Sequence, residues 1–139
     1  MKRTVAALLL MGILAGCSGS VPAAAPPAAR ADIPPVGAIW FGSSFDPQTF
    51  AISSRLTTVT ANQGFSFVAH LSRVIDASAL LIRTSWNGQL VATTPPSAKG
   101  SGDLWGFSPG PLFAAGKWKY DLTDIGGNVL ATGTLTATP

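Results

Sequence analysis

The chain has 139 residues, enough for one domain, with 11% charged residues and a formal net charge of +3. Two of its nine basic residues lie at the extreme N-terminus, and beyond them seven basic residues stand against six acidic ones. No basic run occurs, which argues against nucleic-acid binding and against attraction of a polybasic segment to a membrane. Glutamate is absent, and after the N-terminal region Thr, Val, Phe, Trp and Gly are frequent, a mixture that favours strands and turns.

Residues 1–16 are predicted to form a signal peptide. A basic start is followed by the uncharged apolar run Thr4–Ala15 and then by small residues, which is the pattern of a secretory signal. The apolar run is too short for a membrane-spanning helix, which needs about 20 residues. The only cysteine, Cys17, follows directly, and a lone cysteine in an exported protein needs an explanation.

The residues Leu14-Ala15-Gly16-Cys17 resemble the lipobox of bacterial lipoproteins. The resemblance implies that a diacylglyceryl group is transferred to the thiol of Cys17, that the chain is cleaved before Cys17, and that the new amino terminus is acylated, usually with palmitate. It places the protein on a membrane of the bacterial cell envelope, facing the periplasm in a Gram-negative cell. Ser18, where aspartate would imply retention, implies the outer membrane if the organism is enterobacterial. Secretion after a cut near Val21–Ala25 is the alternative.

Residues 17–35 are predicted to form a linker between the lipidated cysteine and a folded domain. Five prolines and many alanines occupy this segment, which cannot bury enough apolar surface to fold. In polyproline conformation it would reach roughly 50 Å and would hold the domain clear of the lipid headgroups. An inert spacer is the simplest interpretation.

Residues 36–139 are predicted to form a single all-β domain. The residue pair Asn87-Gly88 between two β-like runs is a strong signal of a two-residue hairpin, because both central residues of a type I′ turn need a positive φ. The regular spacing of short strands and turns is typical of a β-sandwich. The predicted strands are Ala38–Gly42, Leu56–Thr60, Phe65–Leu71, Leu80–Trp86, Gln89–Thr93, Asp103–Ser108, Lys117–Leu122 and Val129–Thr136.

Alternation of apolar and polar residues predicts which side of each strand is buried. Phe65, Phe67, Ala69 and Leu71 should face the core, with Ser66, Val68 and His70 on the outer side. In the two C-terminal strands, Trp118, Tyr120 and Leu122 should face inward, whereas Thr132, Thr134 and Thr136 should face water.

Three segments resemble parts of bacterial immunoglobulin-like domains. Ile39–Gly42 resembles the opening strand, Trp86–Val91 the central hairpin, and residues 115–131 the closing hairpin. The resemblance implies an immunoglobulin-like antiparallel β-sandwich of seven to eight strands. The paired core cysteines of antibody domains are absent. Because fold does not imply function, this likeness leaves the ligand open.

No catalytic residue, metal site or cofactor is predicted. His70 is the sole histidine, and neither glutamate nor a second cysteine could complete a metal site with it. A triad of His70 with Asp76 and a serine has no support in spacing. The aspartates lie mostly beside turns, where they usually accept hydrogen bonds from backbone amides. Calcium held by Asp121 and Asp124 is an open alternative.

Four aromatic residues are candidates for a binding surface. Trp86 and Trp118 fall on predicted core faces, but Trp40 and Trp105 lie near strand ends beside glycines. The glycine-rich segment 100–116 carries Trp105, Phe107 and Phe113 and is either a binding loop or a simple crossover.

The sequence therefore predicts a lipid-anchored, non-catalytic module that binds a protein or ligand of the envelope. One alternative is a structural accessory subunit of an envelope complex, and another is a small hydrolase or enzyme inhibitor.

Overall fold

The computed structural model describes residues 32–97 and 99–139, so the predicted signal peptide, Cys17 and most of the linker lie outside the described residues. The described part is an all-β domain with one 3-10 turn at Ala77–Ala79. No helix in this part has the length and apolar character needed to cross a membrane. Its strands are β1 (Ile39–Phe45), β2 (Ile52–Leu56), β3 (Thr58–Thr60), β4 (Ser66–His70), β5 (Leu80–Trp86), β6 (Gln89–Thr94), β7 (Lys99–Ser101), β8 (Leu104–Phe107), β9 (Gly116–Asp124) and β10 (Val129–Thr138).

The strands form two five-stranded sheets, in the orders β2-β1-β4-β8-β7 and β3-β10-β9-β5-β6. Neighbouring strands are antiparallel except for β3, which runs parallel to β10. The two sheets pack face to face around one core, where the ring centroids of Phe67 and Tyr120 are 5.1 Å apart. The prediction of a β-sandwich is confirmed.

The described residues contain ten strands rather than the seven or eight predicted. The run Leu56–Thr60 is one strand in the prediction, but Leu56 ends β2 in one sheet and Thr58 begins β3 in the other. The chain changes sheets at Thr57. The prediction also placed a loop at residues 97–102, where β7 instead pairs with β8.

The predicted inward faces of β4 and β9 are correct, since Phe67, Trp118, Tyr120 and Leu122 are all buried. The prediction for the outer face of β4 is wrong at Ser66 and Val68, which are both buried. Gly106, the β8 partner of Val68, lies under the ring of Phe45, because a side chain at Gly106 would overlap that ring. Phe45 at the end of β1, stacked on Phe50 of the following connection, therefore covers this face.

The hairpin between β5 and β6 has the predicted turn. Asn87 and Gly88 have φ values of 48° and 85°, as a type I′ turn requires. The Oδ1 atom of Asn87 accepts a hydrogen bond of 2.9 Å from the backbone amide of Lys117. The turn thus fixes β6 beside β5 and ties the hairpin to β9.

The last residues of the predicted linker contact the domain at the side of β1 and β2. The carbonyl of Asp32 accepts a hydrogen bond from the amide of Ile52 in β2. Pro34 is fully buried, and its carbonyl oxygen lies 2.9 Å from Nδ1 of His70. The β6 edge lies on the opposite side of the sandwich, because β2 and β6 are terminal strands at opposite ends of the two sheet orders.

Candidate functional site

A cleft of about 300 Å³ opens between the two sheets, on the side where β6 is the last strand. One wall is the hairpin of β5 and β6, in which the cross-strand pairs Ile82–Thr94 and Thr84–Ala92 present their side chains to the cleft. The opposite wall is the end of β8 and the residues 108–110 that follow. The floor is aromatic, because Phe67 and Phe107 stack there at a centroid distance of 4.8 Å.

The cleft is lined by uncharged side chains. Hydroxyl groups are supplied by Thr84, Thr94 and Ser97 on one side and by Ser108 on the other. The Ser108 hydroxyl is already hydrogen-bonded to that of Ser66, at 2.9 Å. A charged group would lose its hydration here without gaining an opposite charge, so the cleft disfavours ions.

Tyr120 lies at the floor of the cleft and is 4% exposed. Its hydroxyl has no hydrogen-bond partner among residues 32–97 and 99–139. Burial raises the pKa of this phenol from its ordinary value of 10.0 to about 12. Tyr120 is therefore a neutral hydroxyl at neutral pH, with the capacity to donate and accept hydrogen bonds from an occupant of the cleft.

The strand beside the cleft is the terminal strand with the fewest protecting features. Terminal strands expose unpaired N–H and C=O groups, and proteins usually protect them by short length, charge, cover or a β-bulge; β6 has only a local irregularity in its pairing with β5, between Thr84 and Ser85. In the described part, β3 and β7 have three residues each, and β2 carries Arg55 and is capped at Ile52 by the carbonyl of Asp32. By contrast, β6 has six residues and no charge, with Leu90 52% and Val91 42% exposed.

The four aromatic residues proposed from the sequence do not come together. Trp105 is buried in the core, and its indole N–H donates to the carbonyl of Gly102. Phe107 lines the cleft. Phe113 is exposed at another place, where it packs edge-on against Trp118. Trp40 lies under the guanidinium of Arg55, 3.6 Å from the ring centroid.

Sequence reasoning missed the residues that shape the cleft with Phe107. The sequence predicted that the Tyr120 side chain faces the core. It did not predict that Tyr120 lies beneath an opening between the sheets. The Asn87-Gly88 turn by itself predicts Val91 opposite Thr84, but a register shift between Thr84 and Ser85 brings Ala92 there instead, and no sequence signal indicated that shift. No local signal indicates that residues 108–110 lie across from them.

The sequence suggested that His70 is a surface histidine with no role. In the structure both of its ring nitrogens contact other residues. Its Nε2 atom lies 3.1 Å from the Asp103 carboxylate, and its Nδ1 atom lies 2.9 Å from the Pro34 carbonyl. The acidic partner is Asp103 and not Asp76. Because both ring nitrogens face acceptors, neither is available to take a proton from a nucleophile in this arrangement.

The calcium alternative does not fit the arrangement of the carboxylates. Asp121 faces outward and contacts Lys119 and Thr132. Asp124, three residues further along β9, points to the other side of the sheet and binds Arg73 and Asn128. The two carboxylates therefore cannot share one cation. The described residues contain no group of three or more potential metal ligands.

Comparison with protein-family models, curated proteins and solved structures gave no match to this chain.

Proposed function

We propose that this protein is a lipid-anchored, non-catalytic binding module of the bacterial cell envelope, and that its immunoglobulin-like sandwich binds an extended segment of a partner protein along β6. The observation that carries the proposal is the β6 edge, which is uncharged, exposed and bordered by a cleft. Adding a partner strand to such an edge is a recurrent mode of peptide recognition, in which backbone hydrogen bonds supply much of the affinity.

The strand order supports an immunoglobulin-like assignment. Antibody-type domains have one sheet with strands A, B, E and D, and a second with G, F and C, to which variable-type domains add C′. Here the order β1-β4-β8-β7 faces β10-β9-β5-β6. If β2 and β3 are insertions between A and B, the remaining strands in chain order become A, B, C, C′, D, E, F and G. The two sheets then read A-B-E-D and G-F-C-C′. On this assignment β6 is the edge strand C′.

The anchoring part of the proposal depends on Leu14-Ala15-Gly16-Cys17 and on the side at which the chain joins the domain. The linker meets the sandwich beside β1 and β2, where the carbonyl of Asp32 accepts a hydrogen bond from Ile52 and the carbonyl of Pro34 contacts His70. The β6 edge is on the far side. A tether fixed to lipid would therefore leave β6 accessible.

Two experiments test the two parts separately. Cys17→Ser should abolish labelling by a fatty-acid analogue and release the protein from the membrane, and continued retention without labelling would contradict the anchor. A photo-crosslinking amino acid at Val91 should capture a partner in intact cells, and the same group at Ser53 on β2 should not.

Leu90→Lys should suppress the crosslink from position 91, because a lysine on an edge strand opposes the addition of a further strand. Val129→Lys is the matched control, since Val129 is 51% exposed on a strand of the same sheet but away from β6. Equal capture with both lysine variants would exclude strand addition at β6.

A further inference from the structure

We infer that the cleft beside β6 selects the partner segment through one large uncharged side chain, aromatic or long aliphatic, which inserts between the sheets toward Tyr120. This inference rests on the proposed binding at β6 and adds the chemistry of the segment that binds there.

The register of β6 determines which side chains of an added strand would reach the cleft. Ala92 and Thr94 point into the cleft, whereas Thr93 pairs with Arg83 on the outer face. Side chains of neighbouring strands point to the same side at paired positions, and along a strand they alternate. Every second residue of an added strand would therefore face the cleft, and the one beside Ala92 or Thr94 would lie at its opening.

The cleft is large enough to admit a large side chain. Its volume of about 300 Å³ is at the lower limit of small-molecule sites, which span roughly 300–1,000 Å³. The stacked rings of Phe67 and Phe107 at the floor offer an apolar surface to a ring or a branched chain. Glycine or alanine at this position would leave that surface uncovered.

The chemistry of the cleft excludes charged occupants and favours a neutral one. None of the lining side chains that the structure describes carries a charge, and the β6 strand has none either. Tyr120 lines the cleft, and because a phenol both donates and accepts hydrogen bonds, an occupant with a hydrogen-bonding group at its tip would pair with it. The matching partner segment is uncharged, extended and rich in β-forming residues.

A second copy of this chain is a poorer occupant. Pairing of β6 with β6 of another molecule would place only the small side chains of Ala92 and Thr94 on the cleft side. These side chains are too short to reach the aromatic floor. The cleft therefore points to a different polypeptide.

The test uses fluorescein-labelled peptides of the form acetyl-Thr-Thr-Val-Xaa-Val-Thr-Thr-amide, with Phe, Leu, Gly or Lys as Xaa, added to the full chain in detergent. The Phe and Leu peptides should bind at least about tenfold more tightly than the Gly and Lys peptides, as expected for burying one large apolar side chain. Ala92→Phe, which fills the cleft from its wall, should remove this preference. Thr93→Phe on the outer face of the same strand should keep it.

A second measurement does not depend on the folding of a variant. In the wild-type protein, the NMR signals of the Tyr120 and Phe107 rings should shift when the Phe peptide is added, and the Trp40 indole signal should not. Equal affinity for all four peptides would overturn selection by the cleft but leave strand addition intact. If no peptide bound, both selection by the cleft and strand addition at β6 would be overturned. Binding of free p-cresol without binding of any peptide would lead to the same conclusion.

Discussion

His70 of β4 and Asp103 of the turn between β7 and β8 are joined by a contact of 3.1 Å between Nε2 and Oδ2. The other ring nitrogen contacts the carbonyl of Pro34. A carboxylate and a carbonyl oxygen both accept hydrogen bonds, so both contacts form as hydrogen bonds only when the ring carries two protons. The single histidine thus connects the start of the domain to a turn on the other side of β4.

His70→Ala should lower the free energy of unfolding by about 1 kcal/mol, because the partly exposed contacts of the imidazole with Asp103 and Pro34 are lost. Urea denaturation of the wild type and the variant at neutral pH measures this. Thr134→Ala, an exposed substitution on β10, is the control and should change stability little. Equal stability of all three proteins would mean that the His70 contacts do not contribute.

Trp118→Ala should lower the free energy of unfolding by about 3–5 kcal/mol, the usual cost of removing a large buried aromatic side chain. Trp118 is 2% exposed, and its indole N–H donates to the carbonyl of Ala114. Ile125→Ala, at a position 75% exposed, should cost less than about 0.5 kcal/mol. A loss below about 1 kcal/mol at Trp118 would conflict with its place in the core.

Tyr120 should make the protein less stable as the pH rises from 10 to 12. Burial raises the pKa of its phenol in the folded state to about 12, so the unfolded chain loses this proton first and the equilibrium moves toward unfolding. The loss reaches about 2 kcal/mol at pH 12, since each unit of pKa difference is worth 1.36 kcal/mol and the folded phenol is half ionised there. Tyr120→Phe should lack this component of the pH dependence.

The ionisation of Tyr120 can be followed by ultraviolet absorbance without interference from another tyrosine, because Tyr120 is the only tyrosine of the chain. Its absorbance change on ionisation follows one group in the folded protein and in urea. Titration near pH 10 in the folded state would show that the phenol is accessible to water.

Asp124 should make the folded state sensitive to acid. Hydrogen bonds from the side chain and backbone of Asn128, and then the contact with Arg73, hold the pKa of this carboxyl below its ordinary value of 3.8. Its stabilising contribution is complete above that value and disappears as the pH falls through the lower pKa of the folded state. In Asp124→Asn the free energy of unfolding should therefore fall less between pH 7 and acid than in the wild type.

Asp76→Asn provides the matched control for that comparison, because the Asp76 side chain makes no capping hydrogen bond at the 3-10 turn. Urea denaturation at each pH supplies the free energies. If Asp124→Asn lost as much stability in acid as the wild type, the Asn128 and Arg73 contacts would not be the source.

Most of the fold could be predicted because its signals are local. The alternation through Phe67 and through Tyr120 follows from one strand at a time, and the positive φ values at Asn87 and Gly88 follow from a residue pair. The passage from β2 to β3 at Thr57 could not be predicted, because the β-forming residues continue across it without a glycine or proline. Pairing with different partners, β1 and β10, separates the two strands.

The candidate site was harder to predict because it forms between segments distant in sequence. Thr84 and Ala92 lie opposite Ser108, which comes from the other sheet. Sequence reasoning placed Trp105 and Phe107 on one strand and named both as candidates for a binding surface, yet both are buried in β8 and only Phe107 lines the cleft. Alternation alone cannot tell a core residue from a residue beneath an opening.

The position of Asp32 beside β2, on the side away from β6, has a mechanical consequence. If a partner at β6 and the preceding chain at Asp32 were pulled apart, tension would run across the strands, along the hydrogen bonds that join them. The ladder between β5 and β6 is interrupted between Thr84 and Ser85, whereas the ladder between β5 and β9 is continuous in register. Under such a load the β6 strand, with the partner still paired to it, would peel from β5 before the rest of the domain unravelled.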